Sequence, residues 1–274
     1  MASLKHLHGT AFVSGASTGL GSSFTKMLLQ EGVRVWGTSR DSSRLAELVA
    51  AYPGAFHPVL LDLADGPGAV SAFNSAAKAA GGAFDLVVNN AGFGVFGEFD
   101  VLESAAWRAQ LEGALLTVME ISHAAFRLMR QRNRGCIVHI SSLAAEFPLP
   151  YMSGYNMTKA ALSALSESLM FESRRSEIRV IDFRPGDYRT NFNRAMQTDS
   201  LTDNTRRAWA SLDAILIAAP LPERAAADLR RALLANRSGV VRSGSFFQAV
   251  VAPFLVRLFP ESWVRRANAL YFGV

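Results

Sequence analysis

Short apolar runs alternate along this chain with longer segments in which apolar positions recur every three or four residues. The runs predict strands at Thr10–Ser14, Val33–Thr38, Phe56–Leu61, Phe84–Asn89, Cys136–Ser141, Arg179–Phe183 and Gly239–Arg242. Several, such as FDLVV and CIVHI, are apolar almost throughout, which fits strands buried on both faces of a parallel sheet. The longer segments predict helices over about 19–31, 42–51, 67–80, 103–132 and 155–173. Alternation of the two over the first 185 residues implies βαβ units and a doubly wound sheet. Right-handed crossovers then place helices on both faces. Two stretches break the rhythm. Residues 190–222 form an insertion of mixed character between the sixth and seventh strands. From residue 245 to 274 the chain turns strongly apolar.

Composition narrows the picture. The 274 residues suit one α/β domain spanning 1–274, with no internal repeat and no linker that divides it. Half the residues are hydrophobic (50%) and 19% are charged, so the chain is globular. The net charge of +5 comes from scattered basic residues, so no nucleic-acid partner is expected. The single cysteine, Cys136, excludes an intrachain disulfide and suits a reducing compartment. The N-terminus lacks a secretion signal, and no run reaches the roughly 18 to 20 apolar residues of a membrane span. A cytoplasmic protein with no transmembrane segment and no metal site is expected.

Chemistry gathers at predicted strand ends. SGASTGLG (residues 14–21) follows the first strand and opens a helix. Gly15, Gly19 and Gly21 permit a tight turn and a close approach by a ligand, and the helix N-terminus favours a pyrophosphate. At the second strand end Thr38 and Ser39 precede Arg40, with no carboxylate where a ribose 2′-hydroxyl would be bound. That suits a 2′-phosphate, unless Arg40 is simply solvated. Asp62, in LDLAD, is placed to accept from an adenine amino group or to form a turn. NNAG (89–92) ends the fourth strand, and taken alone is a turn signal. ISS (140–142) ends the fifth, thirteen residues ahead of Tyr155. Tyr155 and Lys159 share a helix face, and an ammonium there favours the phenolate. Alone, such a pair is usually an ordinary helix surface. RPGDYRT (184–190) closes the sixth strand, with Pro185 and Gly186 fixing a turn and Thr190 placed for a nicotinamide carboxamide.

Together and in this order, these stretches resemble the short-chain dehydrogenase/reductase family, in its compact single-domain branch. The likeness runs from about residue 8 to 190. SGASTGLG is similar to the family's TGxxxGxG with Ser14 for threonine. NNAG, Ser142 with Tyr155-x-x-x-Lys159, and PG-x-x-x-T match as they stand. The resemblance implies a Rossmann-type fold of seven parallel strands. It implies Tyr155 as general acid or base, Ser142 steadying the substrate oxygen, and Lys159 bonding the nicotinamide ribose and depressing the tyrosine's pKa. It also implies cofactor contacts from Gly15, Ser17, Thr18, Gly19, Leu20, Gly21, Ser39, Arg40, Asp62, Leu63, Asn89, Ala91, Gly92, Tyr155, Lys159, Pro185, Gly186, Tyr188 and Thr190. NADP(H) is the expected cofactor, with NAD(H) the alternative, and a homodimer or homotetramer the expected assembly.

One position departs from the family. Where it places an asparagine that anchors water behind the lysine, this chain has Ala114, and Gln110 or Thr117, one turn to either side, is the candidate substitute. His139 replaces another common asparagine and reads as a packed residue. Phe93, Val95, Phe96, Phe147, Leu149, Met152, Phe192, Met196 and Trp209 suggest a bulky apolar ketone or alcohol of lipid, steroid or aromatic type. The apolar C-terminal stretch is expected to cover the pocket or form an oligomer interface, with contact to a membrane surface the least favoured of the three readings. Rival readings are an NADP-binding regulator or scaffold with weak turnover, and a non-redox lyase or isomerase.

Overall fold

Seven apolar runs become seven strands: β1 (Thr10–Val13), β2 (Arg34–Ser39), β3 (Phe56–Leu60), β4 (Leu86–Asn89), β5 (Arg134–Ile140), β6 (Glu177–Pro185) and β7 (Gly239–Ser243). The computed structural model describes residues 3–274 apart from 193–195, 197, 199–200 and 257. All pairings are parallel, in the order β3-β2-β1-β4-β5-β6-β7. This is the doubly wound, Rossmann-like sheet expected. The chain leaves β1 for β2 and β3, then returns past β1 to form β4. The loops after β1 and β4 therefore diverge and open a crevice at the carboxyl edge.

The helices are α1 (Leu4–Leu7), α2 (Gly19–Gln30), α3 (Ala46–Ala51), α4 (Gly66–Ala79), α5 (Ser104–Leu111), α6 (Val118–Arg132), α7 (Ser153–Ser173), α8 (Asp203–Ala218), α9 (Pro222–Ala235), α10 (Ala252–Val256) and α11 (Glu261–Phe272). Local chemistry sets their ends. The Asp65 carboxylate accepts from Gly68 N–H at 3.0 Å and starts α4. Asn133 and Asn236 end α6 and α9 in the left-handed conformation (φ 48° and 49°). The helix expected over 42–51 begins instead as a 3₁₀ turn, because Asp41 accepts from Ser43 N–H at 2.9 Å and tightens it. The helix expected over 103–132 is split by a π-turn at Glu112–Thr117, centred on Ala114.

Successive residues of each buried strand serve opposite faces. Ala11 and Val13 point with Val35, Val88 and Val138 towards Phe24 and Leu28 of α2 and Leu229 and Leu233 of α9. Phe12 points with Val87 and Ile137 towards Phe73 of α4 and Ile121 of α6. Phe12 and Phe73 meet edge to face at 5.0 Å. Each such side chain contributes about 1.5–3 kcal/mol by leaving water.

His139 lies inside this core on β5. Its ring nitrogens stand 2.9 Å from Ser122 Oγ and 2.8 Å from Ser166 Oγ. The same hydroxyls lie 2.6 Å from Val118 O and 2.8 Å from Leu162 O. A neutral imidazole brings one N–H, and with the two hydroxyls that makes three hydrogens for these four contacts, so one contact goes without. Only the charged ring would fill all four, yet burial holds the pKa down at about 4. The histidine is a packed one, as expected.

The unfolded chain takes up this proton near 6.5, and the native chain near 4. Between those values the unfolded state binds more protons, so stability falls as pH falls through that window, by about 3 kcal/mol. Urea unfolding at about pH 7 and about pH 4.5 should show a shallower loss in His139→Asn than in the parent chain. Equal losses would contradict this account.

Candidate active site

The carboxyl ends of β1 to β6 border one cavity of about 1480 Å³. Its first corner is built by the turn after β1. Gly15 and Gly19 adopt φ of 70° and 56°, which side chains resist. A Cβ on Gly21 would lie 2.1 Å from Gly15 O, so this position must be bare for the turn to close. Gly21 is a spacing residue, then, and does not itself line the cavity. Thr18 caps α2 without a side-chain hydrogen bond. The first N–H groups of α2 are left to Thr18, Gly19 and Leu20 at the cavity wall, and a pyrophosphate fits there.

Ser14 ties this turn to the next strand end: its Oγ accepts from Asn90 N–H and Ala91 N–H, both at 2.9 Å. Asn90 in turn donates to Ser14 O at 2.9 Å. Asn89 departs from expectation. Its amide donates to Ser122 Oγ at 2.9 Å inside the core, and it does not border the cavity. Strand alternation sends Asn89 inward and leaves Asn90, not singled out in the sequence, at the wall.

The crevice continues along the ends of β2 and β3. Ser39 Oγ is 3.4 Å from Ser17 Oγ, and Arg40 and Arg44 line the cavity beside them. Asp41 is present too. Its carboxylate is held low by Ser43, from which it accepts at 2.9 and 2.7 Å, and it lies 3.6 Å from Arg44. Asp62 lines the cavity with Leu63 and also forms its own turn, accepting from Ala64 N–H at 3.0 Å.

Ser142, Tyr155 and Lys159 meet on the opposite wall. Ser142 Oγ accepts from Ala144 N–H at 3.0 Å. Lys159, one turn along α7 from Tyr155, is buried and donates from Nζ to Ile140 O at 2.7 Å. The ammonium stands 5.6 Å from the Tyr155 ring centre. Burial lowers Lys159 to about 8, against the pull of Asp182. Burial also pushes Tyr155 up to about 12, with the Ser142 hydroxyl pulling down and Asp187 pushing up. The Lys159 ammonium donates to Ile140 O, and loss of water around the phenol outweighs the pull of the Ser142 hydroxyl.

Asp182 sits behind this wall with no exposure. Oδ1 accepts from Ser141, and Oδ2 from Ser163 at 2.8 Å and Arg184 Nε at 2.7 Å. Arg184 Nη1 goes on to Glu146 at 2.5 Å, which Arg242 Nε also meets at 2.8 Å.

The turn after β6 forms the cavity's end. Gly186 N–H donates to Ser243 O at 2.7 Å. Thr190 packs against Gly19, its Cγ2 within 3.7 Å of where a Cβ would stand. Tyr188 lines the cavity, but its hydroxyl turns inward to Ser243 Oγ at 2.5 Å. Phe93, Phe147, Leu149, Met152, Phe192 and Met196 line the apolar part, as expected. Val95, Phe96 and Trp209 do not: Phe96 packs on Trp209 at 5.0 Å, away from the wall. The C-terminal stretch supplies a further wall, through Phe247, Leu255, Phe259 and Trp263. Among the described residues no helix is long and apolar enough to cross a membrane.

Ala114 is buried in the π-turn. Gln110 Oε1, one turn before it, is buried without a hydrogen-bond partner among the described residues. Gln110 donates to Phe93 O at 3.1 Å and Thr117 to Leu63 O at 2.9 Å.

Comparison with known proteins agrees with this geometry. The model of the short chain dehydrogenase family matches residues 9–201. A Bacteroides thetaiotaomicron protein named 3-ketodihydrosphingosine reductase is 27% identical over 91% of this chain and 90% of its own length. A Haemophilus influenzae protein named "Probable NADP-dependent dehydrogenase" is 31% identical over 65% of this chain and 70% of its own. The crystal structure of a short-chain dehydrogenase from Streptomyces avermitilis superposes with a TM-score of 0.83 and 28% identity, over 94% of this chain and 97% of that one.

Removing the charge of Asp182 leaves buried Arg184 without one of its two close carboxylate partners. Asp182→Asn should therefore cost about 3 kcal/mol, read as a lowered urea midpoint. An unchanged midpoint would show that Glu146 alone compensates Arg184.

Proposed function

The chain belongs to the short chain dehydrogenase family of oxidoreductases, and on that premise we propose that it is an NADP(H)-dependent enzyme interconverting bulky, largely apolar ketones or aldehydes with their alcohols. The observation that carries the proposal is the meeting of Ser142, Tyr155 and buried Lys159 on one cavity with the Gly15–Gly19 turn.

NADP(H), when bound, supplies or accepts the hydride. Gly15, Ser17, Thr18, Gly19 and Leu20 hold its pyrophosphate. Ser39, Arg40 and Arg44 hold the 2′-phosphate, since Asp41 is engaged with Ser43 and Arg44. Asp62, Leu63, Ala91 and Gly92 flank the adenosine, and Pro185, Gly186 and Thr190 flank the nicotinamide. The name of the Haemophilus relative supports the phosphorylated cofactor.

Tyr155 is the general acid in reduction. Burial keeps its phenol protonated, so the acid is present at neutral pH. Ser142 donates to the same substrate oxygen and fixes its place. Lys159, cationic below about 8, offsets the phenolate left behind. The cavity exceeds the usual range of about 300–1,000 Å³ for ligand pockets, which leaves room for a bulky substrate beside the cofactor. The relative named 3-ketodihydrosphingosine reductase supports a keto substrate.

NADPH consumption with a panel of apolar ketones tests the reading. Tyr155→Phe should lower turnover at least about 100-fold and leave NADPH binding, followed by fluorescence, intact. For the parent chain, kcat/KM for reduction should hold below neutrality and fall as pH rises through about 8, where Lys159 loses its proton. Full turnover by the phenylalanine variant would exclude Tyr155 as the acid. A further test concerns cofactor choice. Ser39→Asp combined with Arg40→Ala should shift the NADPH-to-NADH ratio of kcat/KM by about tenfold or more towards NADH. An unmoved ratio would remove the 2′-phosphate from this corner.

A further inference from the structure

Asp187 follows the Pro185–Gly186 turn and borders the cavity. Its Oδ2 accepts from the Gln248 amide and lies 3.5 Å from the Tyr271 hydroxyl. Gln248 belongs to the π-turn Phe247–Val251 and Tyr271 to α11, so the apolar C-terminal stretch delivers both. Neither is charged. Among the described residues no lysine, arginine or histidine pairs with Asp187, and its Oδ1 takes no hydrogen bond. The ammonium of Lys159 donates to Ile140 O and forms no ion pair with Asp187 among the described residues.

A carboxylate facing an apolar cavity without a cation is costly. The cost is visible in two places. Burial pushes the Asp187 carboxyl up, against the hydrogen bonds from Gln248 and Tyr271. Its charge also reaches Tyr155 and works against the phenolate. A cation brought in by the ligand would relieve both at once. It would pair with Asp187 and cancel the field that Tyr155 meets when it gives up its proton. Phe247, Leu255 and Phe259 of the C-terminal stretch line the same cavity and offer an apolar wall to the rest of such a ligand.

We propose that Asp187 receives a protonated amine carried by the substrate, so that the preferred substrate is an apolar-tailed amino ketone or amino alcohol. The proposal rests on the oxidoreductase reading above. Asp187 is a specificity-determining residue that binds the substrate away from the reacting oxygen, while Gln248 and Tyr271 hold its carboxylate in place.

Two measurements on the full chain test this. Calorimetric titration compares octylamine with 1-octanol, a pair alike in length and differing in charge. Octylamine should bind at least about tenfold tighter, and Asp187→Asn, which keeps the shape and the Gln248 contact, should close that gap. NADPH consumption then compares an amino ketone with the plain ketone of equal length. Asp187→Asn should lower the ratio of kcat/KM for the amino ketone to that for the plain ketone about tenfold or more. Equal binding of octylamine and octanol to the parent chain would overturn the proposal. So would a variant that loses both ketones alike, since Asp187 would then serve the fold or the cofactor. If neither ketone is consumed by any form, the oxidoreductase reading fails, and the titration still decides whether Asp187 takes an amine.

Discussion

A fully buried carboxylate holds the reactive wall together. Asp182 gathers the hydroxyls of Ser141 and Ser163 and the guanidinium of Arg184, and through Glu146 the network extends to Arg242. The loop after β5, helix α7 and strands β6 and β7 are therefore tied at one point. Burying these charges separately would be prohibitive; buried as a paired and hydrogen-bonded set, each is compensated. Two neighbours of the network carry the proposed chemistry. Ser142 follows Ser141 directly, and Lys159 lies one turn before Ser163 on α7. The charge of Asp182 also helps Lys159 remain cationic in a place where burial works against it.

The second constraint is the parallel sheet itself. Every strand points its carboxyl end the same way, so each loop that follows a strand arrives at one edge. The Ser14 hydroxyl fastens the loops after β1 and β4 at the switch point, which keeps the glycine turn against the Asn90 loop. Gly21 has no room for a side chain for the same reason: Gly15 O and the Asn90 amide already occupy the space. The tight turn thus stays closed while the helix N-terminus behind it stays open.

Much of this was legible in the chain. Apolar runs placed all seven strands, because a strand covered on both faces leaves no other pattern. Motif spacing placed Ser142, Tyr155 and Lys159, because a strand end and one helical turn are local geometries. What failed was what depends on side-chain direction or on distant partners. Asn89 and Asn90 are adjacent letters, yet alternation buries one and exposes the other. Val95, Phe96 and Trp209 look like pocket residues, but Phe96 and Trp209 pack on one another and Val95 is buried off the cavity wall. Asp187 drew no notice because its partners lie 61 and 84 residues downstream, in a stretch that reads only as apolar. The π-turn around Ala114 is invisible to a helical period that runs unbroken on either side.

The two aspartates near the site act in opposite directions, and that opposition bears on the direction of the proposed reaction. Asp182, behind Lys159, favours a cation; Asp187, beside Tyr155, disfavours a phenolate. Burial adds to the second effect and subtracts from the first. The resting wall therefore holds a protonated phenol beside a lysine that is cationic at neutral pH. A wall in that state holds the proton that a reduction delivers to the carbonyl oxygen and lacks the phenolate base with which an oxidation begins. Divergent environments for neighbouring titratable groups assign acid and base roles. On the proposed reading Tyr155 is then the acid of a reduction. A cation against Asp187 offsets its effect on the phenolate, so the charge of the bound molecule, as well as its shape, sets how readily the phenol gives up its proton.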